Sequence, residues 1–198
     1  MSSSIKIILA STSPRRVTLL DQIGLNYSQI KPQYEEDSFN PNPRVRVMEN
    51  SEKKALSVKD SGDLIISADT LVYINKEILG KPKNLEDARE MLSKLSGKVH
   101  TVFTGVTVFD PRKGKIISSF EKTLVHIKIL TEEDIENYIL SGEPMGKAGA
   151  YAIQGLGAAL VDRVLGCFHN VMGLPLSLVW DLLKEFDMNP FDLVTKKG

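Results

Sequence analysis

The stretch Ser11-Thr12-Ser13-Pro14-Arg15-Arg16 constrains the fold most, because it joins an apolar run to an amphipathic segment. The apolar run extends from Ile5 to Leu9, and the amphipathic segment from Val17 to Ile23. This order predicts a strand, a tight turn rich in hydroxyl groups, and a helix. Ser13 suits the N-cap and Pro14 the first helical position, so the free N–H groups and the positive end of the helix dipole face the turn.

Two consecutive arginines, Arg15 and Arg16, fall in the first turn of that helix. They point in different directions around the helix, and each guanidinium can meet phosphate oxygens with two parallel hydrogen bonds. The stretch therefore predicts a site for a polyphosphate. The alternative is a capped surface helix with solvated arginines, because Ser-Pro turns and surface arginines are common.

Length and charge limit the classes of protein that this chain can belong to. Its 198 residues suit one domain, or two small lobes that share a core. Basic and acidic residues balance at 25 each, so no global field attracts nucleic acid or a membrane surface, and any anion site must be local. The single cysteine, Cys167, excludes an internal disulfide and fits a reducing compartment. No signal peptide or membrane span is evident, and we expect a cytoplasmic protein.

The rest of the chain alternates between predicted helices and strands, without a repeat or a linker, which favours a single domain over residues 1–198. Helices are predicted at 44–59, 84–95, 131–141 and 175–186, and a hairpin at 71–79. The segments 99–109 and 115–129 predict an antiparallel pair of strands with one wet face. The glycine-rich run 146–157 predicts a strand and a binding loop around Tyr151 to Gln154, and 160–174 predicts a final hairpin.

Asp69 is the carboxylate with the most informative position. The apolar run Leu64 to Ala68 predicts a short buried strand that ends at Asp69 and Thr70. Ligands bind at the carboxyl ends of strands in α/β sheets, and an acid directly after an apolar strand is poorly placed for solvation alone. Asp69 is therefore a candidate catalytic residue.

A second set of candidates is basic, and each member lies next to a predicted turn or on a helix that flanks one: Arg15, Arg16, Lys54 and Lys81. Together with the carboxylates Glu36 and Asp69, these cations suit a metal-bound triphosphate. The cations would neutralise phosphate oxygens, while the acids would hold Mg²⁺ or orient a water. The alternative treats Lys54 and Lys81 as ordinary surface lysines and Glu36 as part of a solvated acidic run. The hypothesis requires that these distant positions converge.

Seven short motifs occur in series: Ala10 to Arg16, Lys54-Ala55, Ser67 to Thr70, Leu79 to Pro82, Leu95 to Gly97, Ala148 to Gly155, and Val171 to Pro175. Together they resemble the Maf family of nucleoside triphosphate pyrophosphatases. The resemblance implies a Maf/Ham1-like (ITPase-like) α/β fold, with an elongated mixed sheet, flanking helices, and two lobes around a central cleft. It also implies a homodimer and a reaction that uses a divalent metal, Mg or Mn, to split a nucleoside triphosphate into the monophosphate and pyrophosphate.

The resemblance also implies roles for individual residues. Asp69 matches the catalytic aspartate, whose carboxylate accepts a proton from the attacking water. Glu36 and Asp69 together match the metal site. The positions that match phosphate-binding or metal-binding residues are Ser11, Arg15, Arg16, Glu36, Lys54 and Lys81. The positions that match residues for substrate choice are Arg15, Thr70 and Gln154. A shift of one residue would put Glu35 or Asp37 in place of Glu36, and Cys167 and Met172 stand where Ser and Val are commoner.

Gln154 allows a prediction about the base. Its neutral amide offers one donor and one acceptor, which suits the imide edge of uracil or thymine, whereas a carboxylate would suit a cationic methylated guanine. Within the resembling family, the Asp-Thr and Ile-Gln-Gly motifs imply the group that acts on dTTP and UTP rather than on 7-methyl-GTP. The alternative is that Gln154 only bridges parts of a loop.

Two other functions compete with hydrolysis. One is a nucleotide-binding regulatory protein, linked to cell division, in which hydrolysis is vestigial. The other is a nucleic-acid binder that uses the helix with Arg15 and Arg16, but zero net charge and the lack of a basic stripe conflict with it. The sequence leaves open whether Asp69 acts as a base, a metal ligand or both.

Overall fold

The computed structural model describes residues 5–34 and 38–194, in which a seven-stranded sheet is combined with six α-helices. The strands are β1 (Ile7–Ala10), β2 (Ser28–Ile30), β3 (Leu64–Ile74), β4 (Glu77–Leu79), β5 (Val99–Asp110), β6 (Lys115–Ile127) and β7 (Val161–Leu165). The helices are α1 (Pro14–Gln22), α2 (Pro43–Leu56), α3 (Leu85–Leu95), α4 (Glu132–Leu140), α5 (Phe168–Met172) and α6 (Leu176–Lys184). Short 3₁₀ helices occupy Ala148–Ala150, Gly155–Leu160 and Pro190–Asp192. The predicted α/β class is confirmed.

The sheet is mixed, as predicted. Its strand order is β2-β1-β3-β5-β6-β7, and β4 pairs with β3 outside this path. β1 lies parallel to both of its neighbours, β2 and β3, which is the arrangement that a strand-helix-strand unit produces. The β3–β4 and β6–β7 pairs are antiparallel, and a four-residue connection at 111–114 joins β5 to β6 in the predicted hairpin.

The chain divides into two compact units, and three strands, β3, β5 and β6, contribute residues to both. The first unit contains the described residues of 1–69, 104–121 and 173–198, and the second contains 70–103 and 122–172. A hydrophobic cluster of the first unit consists of Ile8, Ala10, Ala55, Val58, Ile65 and Phe109. A larger cluster fills the second unit and includes Val72, Leu92, Leu95, Val125, Ile127, Ile135 and Tyr151.

Helix α2 packs directly against strand β5 within the first unit. A Cβ added at Gly105 would lie 2.3 Å from the carbonyl oxygen of Val47, so only glycine allows this approach of the two backbones. The helix starts at Pro43, after Asn42, whose side chain accepts a hydrogen bond from the backbone N–H of Arg44. These features fix the helix that carries Lys54.

The predicted helix starts at 84 and 131 are confirmed in detail. The side chain of Asn84 caps α3 by accepting a hydrogen bond from the N–H of Asp87. At the start of α4, Thr131 and Asp134 form a reciprocal capping box. None of the helices in the described part of the chain is both long and apolar enough to span a bilayer.

Three local predictions were wrong. β3 does not end at Asp69 but continues to Ile74, where Asn75 and Lys76, both with positive φ, turn the chain into β4. The segment around Tyr151 to Gln154 forms no strand, because Gly149 and Gly155 take positive φ angles of 71° and 65° that suit turns. The predicted final hairpin over 160–174 is instead β7, which pairs with β6, followed by α5. Periodicity does not distinguish short apolar strands from short helices.

Candidate functional site

A buried ion pair joins α2 to β3 in the first unit. The Nζ atom of Lys54 lies 2.6 Å from Oδ1 of Asp69, and the two side chains are only 8% and 7% exposed. Lys54 is therefore not the surface lysine of the alternative interpretation. Burial removes both charges from water, which costs about as much free energy as their attraction returns, so such a pair adds little to stability by itself.

Asn50 and Tyr34, which the sequence analysis did not identify, extend this contact. Asn50 Nδ2 donates a 2.9 Å hydrogen bond to Oδ2 of Asp69, and the hydroxyl of Tyr34 donates to Oδ1 of Asn50 at 3.2 Å. Asn50 is only 3% exposed. The spacing of Asn50 and Lys54, four residues apart on one helix, was the signal that could have revealed Asn50, because it places both side chains on one face.

The turn at residues 11–16 is built around the buried side chain of Ser11. Its hydroxyl oxygen accepts hydrogen bonds from the backbone N–H of Ser13, at 3.1 Å, and from Nη1 of Arg16, at 3.2 Å. Arg16 also donates from Nε to the carbonyl oxygen of Gly173 at 2.8 Å. The guanidinium of Arg16 is thus held in one orientation. Arg15 is half-buried in the first turn of α1.

Ser13 and Pro14 occupy the predicted positions, N-cap and first helical residue. The side chain of Ser13 nevertheless makes no capping hydrogen bond, and the backbone N–H of Ser13 is bound by the hydroxyl oxygen of Ser11. The helix start is therefore organised by the residue at the end of β1. This difference leaves the predicted strand-turn-helix order unchanged.

Strand pairing places the 11–16 turn beside Asp69. In the parallel pairing of β1 with β3, Ala10 lies opposite Ser67. Ser11 directly follows β1 and Asp69 lies two residues beyond Ser67 in β3, and neighbouring strands are about 4.8 Å apart. The first unit thus brings together a hydroxyl-rich turn, a held arginine and a buried carboxylate, which is a combination suited to binding and hydrolysing a phosphate ester.

The remaining predicted residues have the following places. Thr70, which is half-buried, follows Asp69 within β3, and Lys81 is exposed after β4. Gln154 is half-buried and directly precedes the 3₁₀ helix Gly155–Leu160. All three belong to the second unit. Glu36 lies outside the described residues, and within 5–34 and 38–194 no group of three or more His, Cys, Asp or Glu side chains is placed to hold a metal ion.

Comparisons with known proteins agree with one another. A sequence model of the family described as Maf-like protein matches residues 6–186. A curated relative from Thermosipho melanesiensis, called dTTP/UTP pyrophosphatase, is 49% identical over 177 residues, which cover 89% of this chain and 96% of the relative. A relative of the same name from a Thermoanaerobacter species is 48% identical, over 92% of this chain and 98% of the relative. Another, from Gloeobacter violaceus, is 43% identical, over 95% of this chain and 100% of the relative.

One solved structure resembles the fold at low sequence identity. The Ham1 protein of Staphylococcus aureus has a TM-score of 0.54 to this chain at 15% identity, over 91% of this chain and 99% of its own. This likeness supports the predicted Ham1-like architecture of the mixed sheet. It concerns the fold alone.

Proposed function

The chain belongs to the Maf family, and we propose that it is a nucleoside triphosphate pyrophosphatase that hydrolyses dTTP and UTP to the monophosphate and pyrophosphate. Near-full-length relatives at 43–49% identity carry the name dTTP/UTP pyrophosphatase. The observation in the structure that carries the proposal is the buried contact of Lys54 with Asp69, on the strand next to the 11–16 turn.

The chemical step requires a proton acceptor near the α-phosphorus. Water attacks that phosphorus, a new P–O bond forms, the bond to the pyrophosphate oxygen breaks, and the water loses one proton. Asp69 is the proposed acceptor. Each of its carboxylate oxygens already accepts one hydrogen bond, from Lys54 or from Asn50, and each has a second lone pair that can accept a hydrogen bond from the water.

The proposed phosphate-binding residues are Ser11, Arg15, Arg16, Lys54 and Lys81. Negative charge grows on the leaving pyrophosphate oxygen, so cations near the β- and γ-phosphates stabilise the transition state more than the ground state. Arg16 supports this role because its hydrogen bonds to Ser11 and Gly173 orient the guanidinium before any ligand binds. Less reorganisation is then needed when the phosphate arrives.

We propose that the protein uses a divalent metal, Mg²⁺ or Mn²⁺, held by Asp69 and Glu36. Mg²⁺ and Mn²⁺ prefer oxygen ligands, and they are usually bound by one or two carboxylates together with substrate phosphates. Asp69 supplies such oxygens, and Glu36 is the second carboxylate that we propose. The chemistry that the metal supplies when bound is neutralisation of phosphate charge and a lower pKa of a coordinated water. Asp69 would hold the metal in addition to its proposed role as proton acceptor.

Recognition of the base is assigned to the second unit. We propose that Gln154 pairs with the imide edge of uracil or thymine, where a carbonyl oxygen adjoins N3–H. Thr70 and Arg15 are the other proposed determinants of substrate choice. An amide suits this neutral edge, whereas a carboxylate at the same position would face the carbonyl oxygen of the base and repel it.

A pyrophosphate-release assay tests the proposed function. Purified protein with UTP or dTTP and Mg²⁺ should release pyrophosphate, and Asp69→Asn should lower the rate by about 10²-fold or more. The exposed Asp60 provides a matched control, and Asp60→Asn should keep the wild-type rate. Tight binding of UTP without turnover by the wild type would contradict the proposal and favour the nucleotide-binding regulator.

We also propose that the protein acts in the cytoplasm as a homodimer, as membership of the Maf family favours. Sedimentation velocity at several protein concentrations measures this directly. A monomer at all concentrations would contradict the dimer but leave the hydrolase proposal intact.

A further inference from the structure

Glu143 lies in the segment that follows α4, and its carboxylate binds the first turn of the 3₁₀ helix Gly155–Leu160. The N-cap residue of that helix makes no side-chain capping hydrogen bond. Oε1 of Glu143 accepts a 2.9 Å hydrogen bond from the backbone N–H of Gly157, and Oε2 accepts one of 3.0 Å from Leu156. These N–H groups belong to the first turn of the 3₁₀ helix Gly155–Leu160, and an N-cap side chain usually satisfies such groups. Gln154 occupies the N-cap position, but its side chain makes no capping hydrogen bond. Glu143 therefore does the capping, and the carboxamide of Gln154 is not used for it.

Tyr138, on α4, holds the chain on the other side of Gln154. Its hydroxyl accepts a 3.2 Å hydrogen bond from the backbone N–H of Ala152 and donates one of 2.9 Å to Oε1 of Glu143. Tyr138 is only 4% exposed. The segment 152–157, which we call the Gln154 loop, is thus bound at 152, 156 and 157 by two side chains that contact each other.

Two glycines show how tightly the Gln154 loop fits against these side chains. A Cβ added at Gly155, which has a φ of +65°, would lie 2.5 Å from Oε2 of Glu143. One added at Gly157 would lie 2.3 Å from the carbonyl oxygen of Ala152 and 2.6 Å from the hydroxyl of Tyr138. The two ends of the loop therefore touch each other, and Gln154 projects from a closed turn.

The charge of Glu143 suits this arrangement. Partial burial acts to raise the pKa of its carboxyl, but the N–H groups of Gly157 and Leu156, the hydroxyl of Tyr138 and the charge of Lys147 outweigh burial and lower the pKa. Glu143 is therefore an anion at neutral pH and accepts all three hydrogen bonds at once.

We propose that Glu143 and Tyr138 are the positioning residues for base selection, because Glu143 fixes the backbone after Gln154 and Tyr138 fixes it before Gln154. This inference rests on the proposed role of Gln154. The amide of a glutamine can turn over, and in the reversed orientation it matches cytosine, whose edge presents an acceptor and a donor in the opposite order. The fixed backbone does not itself stop the amide from turning, but it holds the carboxamide in one place, so that contacts there can select the orientation that matches uracil. A mobile loop would let the amide adjust to either base.

The expected kinetic effect lies in substrate binding. The base is remote from the reacting phosphorus, so a contact to it acts in the ground state and in the transition state alike. Loss of that contact raises KM and changes kcat little. A residue that only maintained the fold would lower the rate with every triphosphate to a similar extent.

The experiment compares UTP with CTP in variants of the full-length protein. Glu143→Ala should raise KM for UTP by about tenfold, keep kcat within about threefold, and reduce the UTP-to-CTP ratio of kcat/KM by about tenfold. Glu143→Gln keeps one acceptor oxygen, so its KM for UTP and its UTP-to-CTP ratio should lie between those of Glu143→Ala and the wild type. Tyr138→Phe should shift the ratio in the same direction and replaces Glu143→Ala if that variant does not fold. The control is Glu133→Ala, at an exposed position on α4, the helix that carries Tyr138; its KM, kcat and UTP-to-CTP ratio should match those of the wild type.

A double-mutant cycle shows whether Glu143 acts through Gln154. In the background of Gln154→Ala, replacing Glu143 should leave the UTP-to-CTP ratio unchanged, because the group it positions is gone. Additive effects, or an unchanged ratio in folded Glu143→Ala, Glu143→Gln and Tyr138→Phe, would overturn the inference while the hydrolase proposal stands. Absence of UTP and dTTP hydrolysis in the wild type would overturn both.

Discussion

Asn50 donates a hydrogen bond of 2.9 Å to Oδ2 of Asp69, the carboxylate oxygen other than the one that Lys54 contacts. The two donors are four residues apart on α2, so a single helix face orients both oxygens of one carboxylate. A base or metal ligand must be held within a fraction of an ångström to act efficiently. The helix therefore connects the packing of the first unit to the proposed chemistry.

Asn50→Leu should lower kcat with a smaller change in KM. The substitution keeps the size of the side chain but removes the donor, so Asp69 is oriented from one side only. We expect kcat to fall by about 10- to 100-fold and the free energy of unfolding by about 1–3 kcal/mol. Steady-state kinetics with UTP and urea unfolding measure the two effects. Asn137→Leu, at an exposed position on α4, is the control, and equal kcat values for the two variants would contradict a role for Asn50.

Lys54→Met should destabilise the protein much more than Lys53→Met. Lys54 is buried beside Asp69, and its removal leaves an uncompensated buried charge, at a cost of about 3–5 kcal/mol. The neighbouring Lys53 is exposed, with Nζ 5.6 Å from the centre of the Tyr34 ring, a contact worth about 0.5–1 kcal/mol. Urea unfolding of the two variants at pH 7 gives the difference directly.

The combined variant Lys54→Met with Asp69→Leu makes the prediction sharper. With both charges gone, most of the stability should return, while pyrophosphate release should stay abolished. If Lys54→Met alone is as stable as Lys53→Met, the ion pair is not buried in solution as it is in the structure.

The turn at residues 11–16 was predictable because several signals coincide there: an apolar strand, hydroxyl residues, proline and paired arginines. Asp69 was identified for an incorrect reason, since it lies inside an 11-residue strand rather than at its end. Its value as a candidate came from its position in a buried strand, which the apolar run does reveal. Glu143 was missed because its hydrogen bonds reach partners 13 and 14 residues away, and no spacing in the sequence signals them. Asn50 was missed although it lies four residues before Lys54 on the same helix face, because its partner Asp69 is 19 residues away.

The segment 146–174 shows where local patterns fail. Its glycines do not make it a strand and a loop, because Gly155 and Gly157 are required by side chains from α4 and from the segment after it. Val171, which favours a strand by type, lies in helix α5 together with Met172, since packing overrides β propensity in short segments. The sequence predicts a binding role for the Gln154 loop, which stays a prediction, but it does not reveal the side chains that hold the loop.

His100 should make the protein less stable in acid. The side chain is buried with Nε2 2.7 Å from the hydroxyl of Tyr151, and burial lowers its pKa from 6.5 to about 4. Between pH 4 and pH 6.5, the histidine therefore binds a proton more readily in the unfolded state than in the folded state. The contribution to stability is complete above pH 6.5 and is lost as the pH falls towards 4, by about 3 kcal/mol in total.

The measurement is urea unfolding of the wild type and His100→Gln between pH 7.5 and pH 4. Glutamine keeps a polar partner for Tyr151 but does not titrate, so the variant should lose less stability than the wild type over this interval. The gap between the two curves should therefore narrow, or reverse, as the pH falls. Parallel curves would show that His100 does not cause the acid sensitivity.

Gln154→Glu should move selectivity away from UTP and towards a cationic base. The carboxylate has no N–H to donate to the carbonyl oxygen of uracil, and two facing acceptors repel, so kcat/KM for UTP and dTTP should fall by about 10- to 100-fold. With 7-methyl-GTP, whose base is cationic, the same carboxylate attracts the base, and kcat/KM should rise.

The control is Gln22→Glu, at an exposed position on α1, which makes the same change of charge away from the loop and should leave kcat/KM for both substrates unchanged. Glu143 binds the backbone N–H groups of Leu156 and Gly157 and not the side chain at 154, so the loop should keep its conformation in the Gln154→Glu variant. The ratio of the two kcat/KM values then reports the contact with the base. An unchanged ratio would remove Gln154 from base recognition and leave Thr70 and Arg15 as its candidates.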